Sequence, residues 1–324
     1  MTDRKNITLI INPNSGTLSK RKLGQWLPGR IERLGYQVDM IHTKCKGDAT
    51  EIARNCAERG CYGVLVCGGD GTVAEAATGL IGSSTALGIL PAGSGNGLAR
   101  HLGIPVDIDL SLGIIAQNNI QLCDYGTVNG RPFFCTYGLG FDAAVSKRFA
   151  KKQRRGFNSY IQSALDEFLK YKSAKYEIIA DGHTISERAF LVAVCNASQY
   201  GNNAFIAPAA SVSDGLLDII IVHEGNVIDK AWMGVEMLAG AIGNHGHIRA
   251  LKAKSLSIRC NESTDAHIDG EPTMFNGFAN IECVPAGLKI FVPKHEIRII
   301  PVLTPFWYTM REWGVVISRP FRRH

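Results

Sequence analysis

The chain has 324 residues, 45% of them apolar and 20% charged, with a formal net charge of +6. That length allows two domains and a sizeable core, and no apolar run reaches the length of a membrane-spanning helix. Nine cysteines are an odd number without framework spacing. Reduced thiols and a cytoplasmic location are therefore expected, with Cys56, Cys67 and Cys195 acting as small hydrophobes in apolar surroundings. The opening run Ile7–Ile11 is too short for a signal-peptide core and predicts a first strand. A polar turn, Asn12-Pro13-Asn14-Ser15-Gly16, comes next. A helical pattern then runs from Ser19 to Leu34, kinked near Pro28-Gly29. Tyr36–Thr43 alternates as a strand, and Asp48 is expected to cap a helix with Ala49, Ile52, Ala53 and Cys56 on one face. Tyr62–Val66 and Ala86–Leu90 predict strands, followed by helices over Thr72–Leu80 and Asn96–Leu102. This order predicts an α/β domain with a parallel sheet, helices on both faces and a ligand at the carboxyl ends of the strands.

After about residue 120 the texture changes. Phe133–Tyr137, Tyr176–Ala180, Ala189–Cys195, Leu217–Val222, Ser255–Cys260, Ala279–Cys283 and Leu288–Val292 read as strands, many separated by Gly, Asn, Asp or Pro turns. Helical patterns interrupt them at Phe141–Ala150, Phe157–Lys170 and Ile228–Ile242. The expected organisation is a nucleotide-binding α/β domain over 1–122 plus about 296–324, and a mostly antiparallel β-sandwich over 123–295.

Two glycine-dense turns carry the chemistry of the first half. Gly68-Gly69-Asp70-Gly71-Thr72 and Pro91-Ala92-Gly93-Ser94-Gly95-Asn96 each follow a strand and open a helix. Glycine lets backbone approach a ligand closely, and free N–H groups at a helix start attract phosphate. Asp70 is the carboxylate that a phosphate-bound magnesium ion needs nearby. Neither turn matches the dinucleotide or Walker fingerprint, and each alone also admits the reading of a plain strand-to-helix turn. Together with the Asn12–Gly16 turn they place three polar turns on one sheet edge. In the second half, Ile268-Asp269-Gly270-Glu271-Pro272 sets two carboxylates about a glycine. That is either a hairpin tip or a pair in which one carboxylate takes a proton and the other lies near metal. Ser213-Asp214-Gly215 is a turn before an apolar strand.

Basic residues cluster at Lys147, Arg148, Lys151, Lys152, Arg154 and Arg155, and at Arg311, Arg319, Arg322 and Arg323 among aromatic residues. Such mixtures suit an anionic membrane surface, or equally a solvated face and a docked tail. No nucleic-acid module is present, so no nucleic-acid partner is expected.

Taken in order, Ile11-Asn12-Pro13-x-Ser15-Gly16, Thr43 with Gly47-Asp48-Ala49, Gly68 to Thr72, Leu90 to Asn96, Gly140-Phe141-Asp142-Ala143, Asp214 to Asp218 and Asp269-Gly270-Glu271-Pro272 resemble the diacylglycerol kinase catalytic family, which includes sphingosine kinases and bacterial soluble lipid kinases. The resemblance spans roughly residues 7 to 293. It implies a lipid kinase that uses ATP and Mg2+, with a membrane lipid as substrate; a homodimer is compatible with it. It implies ATP contacts from Asn12, Pro13, Asn14, Ser15, Gly16, Thr43, Gly68, Gly69, Gly71, Thr72, Glu75, Gly93, Ser94, Gly95 and Asn96. Asp70 would organise magnesium through water, and Glu271, Asp269 or Asp70 would take the lipid hydroxyl's proton, with Glu271 preferred. Asp142 would lie near the lipid head group. Asp214, with carbonyls of Ser211 and Leu216, would hold a structural magnesium ion. Thr17, Ala74 and Gly97 depart from the pattern of many bacterial members. A related kinase on a soluble substrate and a non-enzymatic nucleotide or lipid sensor stand as alternatives.

Overall fold

The computed structural model describes residues 4–13, 20–150, 171–225, 229, 233, 236–237, 239–242, 246–262 and 264–295. The expected contacts of Asn14, Ser15 and Gly16, the helix at 157–170, the basic positions 151–155 and the segment 296–324 lie outside the described residues.

The first half follows the expected alternation: β1 (Asn6–Ile11), α1 (Lys20–Arg33), β2 (Gln37–His42), α2 (Asp48–Glu58), β3 (Gly63–Gly68), α3 (Asp70–Leu80), β4 (Ala86–Pro91) and α4 (Gly97–His101). The four strands are parallel in the order β4-β3-β1-β2. Every residue of β3 and β4 is buried, as strands covered on both faces should be. From β1 the chain runs to β2 on one side and to β3 on the other. The strand ends that carry Asn12 and Gly68 therefore flank a switch point, where open α/β sheets bind ligands.

Two local expectations change. Asp48 does not cap α2; the N-cap is Gly47 at φ 93°, and Asp48 accepts the N–H groups of Lys44 and Cys45 in the preceding turn. An additional helix, α5 (Ile108–Ala116), starts at Asp107, whose side chain accepts the Leu110 N–H. Its residues are apolar on most sides, so it carries no polar stripe to read as amphipathic.

The second half comprises β5 (Ile120–Val128), β6 (Arg131–Phe133), β7 (Thr136–Gly140), α6 (Phe141–Ala150), β8 (Ala174–Ala180), β9 (His183–Cys195), β10 (Leu217–His223), β11 (Ile248–Ala253), β12 (Ser255–Arg259), β13 (Asp265–Ile268), β14 (Glu271–Met274) and β15 (Phe278–Phe291). Asp229, Met233, Glu236, Met237 and Ala239 are helical, within the helix expected at 228–242. The expected strand at Phe133–Tyr137 is split by a turn at Phe134-Cys135, and the two expected strands after Phe278 are one.

That long strand joins the halves. β15 pairs antiparallel with β12 and β5, passes an irregularity between Val284 and Leu288, and meets β4 in parallel where Ile290 faces Leu87. The parallel and antiparallel strands thus form one sheet. Leu288, Ile290 and Phe291 are buried in the cores of the first half, among Val64, Val66, Leu87 and Leu65. Full burial of such side chains contributes roughly 1.5–3 kcal/mol each. A separate core of Tyr176, Ile178, Val192, Ile219, Ile258 and Ile281 fills the antiparallel part. Among the described residues, no helix is long and apolar enough to cross a membrane.

Candidate active site

The two glycine turns touch. A Cβ on Gly93 would lie 2.6 Å from Gly69 Cα, and one on Gly95 would lie 2.8 Å from Asp70 Oδ2, so both positions need glycine for contact with their neighbours. Asn96, at φ 55°, closes the second turn by accepting the Gly93 N–H and donating to the Gly93 carbonyl, each at 3.0 Å. Asp70 bridges the turns: Oδ2 accepts the Asn96 N–H at 2.8 Å and Oδ1 the Gly97 N–H at 2.6 Å. Burial pushes the Asp70 pKa up, against the pull of those N–H groups and of Arg100. Asn12 ties the first turn in, donating from Nδ2 to Thr72 Oγ1 at 2.8 Å. Thr43 is buried at the same edge, its N–H on the Ile11 carbonyl at 3.0 Å. Pro13 is exposed beside Asn12, and Glu75 lies half-buried further along α3.

The opposing wall is a hairpin. Asp269 and Gly270 have φ of 48° and 80° and form the two-residue turn between β13 and β14. Asp269 is half-buried, and its carboxylate accepts three backbone N–H groups, from Phe134, Cys135 and Thr136, at 2.8–2.9 Å. Burial raises its pKa, opposed by those N–H groups. Glu271 faces solvent. Its Oε1 would stand 3.4 Å from a Cβ on Gly71, and its Oε2 forms an ion pair with Lys46. A cavity of about 230 Å³ lies between the walls, lined by Asp70, Ser94, Tyr200, His267, Asp269 and Glu271 among others. The three candidate carboxylates are therefore brought to one cavity.

Asp142 lies behind the wall. It is 4% exposed, and its Oδ2 accepts from Tyr200 Oη at 2.7 Å and from His267 Nε2 at 3.0 Å. His267, Tyr200 and Lys46 were not singled out by sequence. The only local signal for His267 is its position two residues before Asp269.

The Asp214 turn is remote from these contacts in its chemistry. Lys252 Nζ lies 2.8 Å from Asp214 Oδ2, 2.9 Å from Asp218 Oδ2 and 3.3 Å from the Ala209 carbonyl. Burial works against that ammonium, yet the two carboxylates outweigh it and leave its pKa above the ordinary value. Asp214 Oδ1 accepts the Leu216 N–H at 3.1 Å, and Ser211 Oγ accepts the Ser213 N–H at 3.3 Å. A cation of the chain's own thus sits on one oxygen of Asp214, the side chain expected to hold a structural magnesium ion with the carbonyls of Ser211 and Leu216. Among the described residues, no group of three or more His, Cys, Asp and Glu side chains is placed to hold a metal.

Comparison with known proteins gives the family. Residues 6–128 match the diacylglycerol kinase catalytic domain, and residues 136–292 match the YegS C-terminal NAD kinase beta sandwich-like domain. The chain belongs to the diacylglycerol kinase catalytic-domain family. It is a lipid kinase, and a kinase uses ATP. It is 29% identical over 273 residues to a diacylglycerol kinase of Bacillus subtilis (strain 168), covering 82% of this chain and 90% of that protein. It is 28% identical over 301 residues to a diacylglycerol kinase of Mycobacterium tuberculosis, covering 89% and 96%. The crystal structure of a diacylglycerol kinase from Bacillus anthracis str. Sterne shares the fold, with TM-score 0.72 and 23% identity over 92% of this chain and 100% of that one.

Proposed function

We propose that this lipid kinase transfers the γ-phosphate of ATP to the hydroxyl of a membrane lipid of the diacylglycerol type, with Glu271 taking the proton. The observation that carries the reading is the position of Glu271 Oε1 against Gly71, with the paired glycine turns on the other side of the same cavity. Phosphoryl transfer is mostly positioning and charge stabilisation, with a base to orient the attacking hydroxyl. Glu271 is solvent-facing and paired with Lys46, so its carboxylate is within reach of an incoming hydroxyl as acceptor. Asp269 has three backbone donors on its carboxylate and serves better to hold the turn. The backbone of Gly68, Gly69, Gly71, Gly93 and Ser94 supplies the approach for phosphates. Asp70 lines the cavity, and its carboxylate would meet the water shell of a magnesium ion arriving with ATP. Such an ion supplies charge neutralisation at the phosphate oxygens.

Diacylglycerol is preferred over a sphingoid base because the relatives are named for it. Contact with an anionic bilayer belongs to the same reading. Of the first basic cluster, Lys147 is paired with Asp265 at 2.6 Å. The experiment is incubation of the protein with γ-labelled ATP and vesicles of total lipid, diacylglycerol or sphingosine. Label in the diacylglycerol product is expected. Label only in a soluble product, or none, would overturn the reading.

A further inference from the structure

We propose that Asp142, His267 and Tyr200 form a buried brace that fixes the Asp269–Glu271 turn against the Gly93–Gly97 turn, with His267 as a positioning residue for phosphoryl transfer. It rests on the reading that Glu271 takes the proton.

The proton pattern gives the brace a direction. His267 is 1% exposed, and its Nδ1 accepts the Gly270 N–H at 3.2 Å. The ring proton is therefore on Nε2, where it is donated to Asp142 Oδ2 at 3.0 Å. Tyr200 donates its hydroxyl to the same oxygen at 2.7 Å, and the Ala143 N–H reaches Oδ1 at 2.8 Å. Three donors thus converge on one buried carboxylate, which makes Asp142 an internal acceptor rather than a free ligand for a lipid head group. Room for the bridge is made by Gly138 on β7, where a Cβ would fall 2.2 Å from Asp142 Oδ2 and 2.3 Å from His267 Nε2.

The far end of the brace is seated on the nucleotide side. The Asn202 N–H donates to the Gly95 carbonyl at 3.1 Å. A Cβ on Gly201 would lie 2.9 Å from Gly95 Cα, and one on Gly97 would lie 3.3 Å from the carbonyls of Gln199 and Tyr200. A continuous path therefore runs from the second glycine turn through Tyr200, Asp142 and His267 to Gly270, the neighbour of Glu271. Its links are in series, so the loss of any one uncouples the Asp269–Glu271 turn from the Gly93–Gly97 turn, while the Asp269 hydrogen bonds still hold the hairpin itself. Misplacement of a reacting group by about 1 Å costs on the order of 10²-fold in rate.

The test is a double-mutant cycle between Tyr200→Phe and His267→Gln in the full chain. Glutamine reproduces the Nε2 donor to Asp142 and loses the acceptor for Gly270. Each single variant is expected to lower kcat about tenfold, with the KM for ATP within about twofold and the melting temperature little changed. The double variant is expected to fall no further than the worse single. Multiplying losses would overturn the brace. So would an Asp142→Asn variant that keeps kcat but raises the KM for lipid, since that marks a head-group contact. Should His267→Gln not fold, Asp142→Asn takes its place in the cycle. Glu271→Gln is assayed alongside: wild-type turnover there removes the proton acceptor, whereas the coupling of Tyr200 and His267 is read independently.

Discussion

The two walls of the cavity are built by different means. The wall proposed to take the nucleotide is main chain: Gly69 lies against Gly93, and Asp70 is held by backbone N–H groups of Asn96 and Gly97. The acceptor wall is held by side chains from distant elements, with Asp142 from α6, Tyr200 from the loop after β9 and His267 from β13 meeting behind the hairpin. The same contrast recurs within the hairpin. Asp269 is held on three backbone donors, while Glu271, one glycine away, faces solvent and a lysine. On the proposed reading, neighbouring carboxylates are divided between architecture and chemistry by what surrounds them.

The sharpest way to break that division is at Glu271. Glu271→Gln keeps the shape and is expected to lower kcat by about 10² to 10⁴ with unchanged thermal stability. Steady-state kinetics with a parallel melt would reverse the assignment if turnover held. Next is the junction of the walls at His101, on α4, whose Nδ1 accepts the Ser198 N–H at 3.1 Å. Burial lowers its pKa from 6.5 to about 4. A folded pKa below the unfolded value gives stability that is full above pH 6.5 and lost as pH falls toward 4. At 1.36 kcal/mol per pKa unit the loss is about 3 kcal/mol. Urea titrations from pH 7 to pH 4 should show the parent losing that much more than His101→Asn, which keeps an acceptor but no titration. Parallel pH curves would show that His101 is not the responsible group.

Asp269→Asn tests the architectural half. The amide must turn an NH2 toward a backbone donor, so a stability loss of about 1–3 kcal/mol is expected together with a loss of activity. An inactive variant of parental stability would make Asp269 chemical instead. The smallest effect concerns Lys252. Magnesium or EDTA should leave the parent's melting temperature unmoved in the absence of ATP. In Lys252→Met, where Asp214 and Asp218 lose their cation, magnesium should raise it by about 2–4 °C. A parent that melts earlier in EDTA would restore the ion to Asp214.

What was legible follows the same line. Glycine turns announce themselves because their constraint is local: Gly93 and Gly95 sit next to the strand end they serve. The alternation of strand and helix was legible for the same reason, and so was the hairpin carrying Asp269 and Glu271. The brace was not, because His267 and Tyr200 acquire meaning only when the antiparallel pairings bring β13 and the loop after β9 together. Lys252 was missed likewise. It opposes Asp218 across the β10–β11 pairing, which no short motif encodes. Asp48 shows the reverse error: a correct capping residue type was assigned to the wrong turn, since Gly47 at φ 93° took the cap position.

The strand β15 has a consequence for biosynthesis. Its final residues complete the parallel sheet at β4 and fill the core beside β3, yet they are made some two hundred residues later (Leu87 against Ile290). A nascent chain through residue 122 carries β1 to β4 with the outer edge of β4 unpaired and Leu288, Ile290 and Phe291 missing from its interior. Such an edge is an aggregation template until it is covered. Closure of so long a loop also belongs to slow, non-local folding. The nucleotide half is thus first in synthesis but cannot be first to finish, and the two halves are expected to melt in one transition.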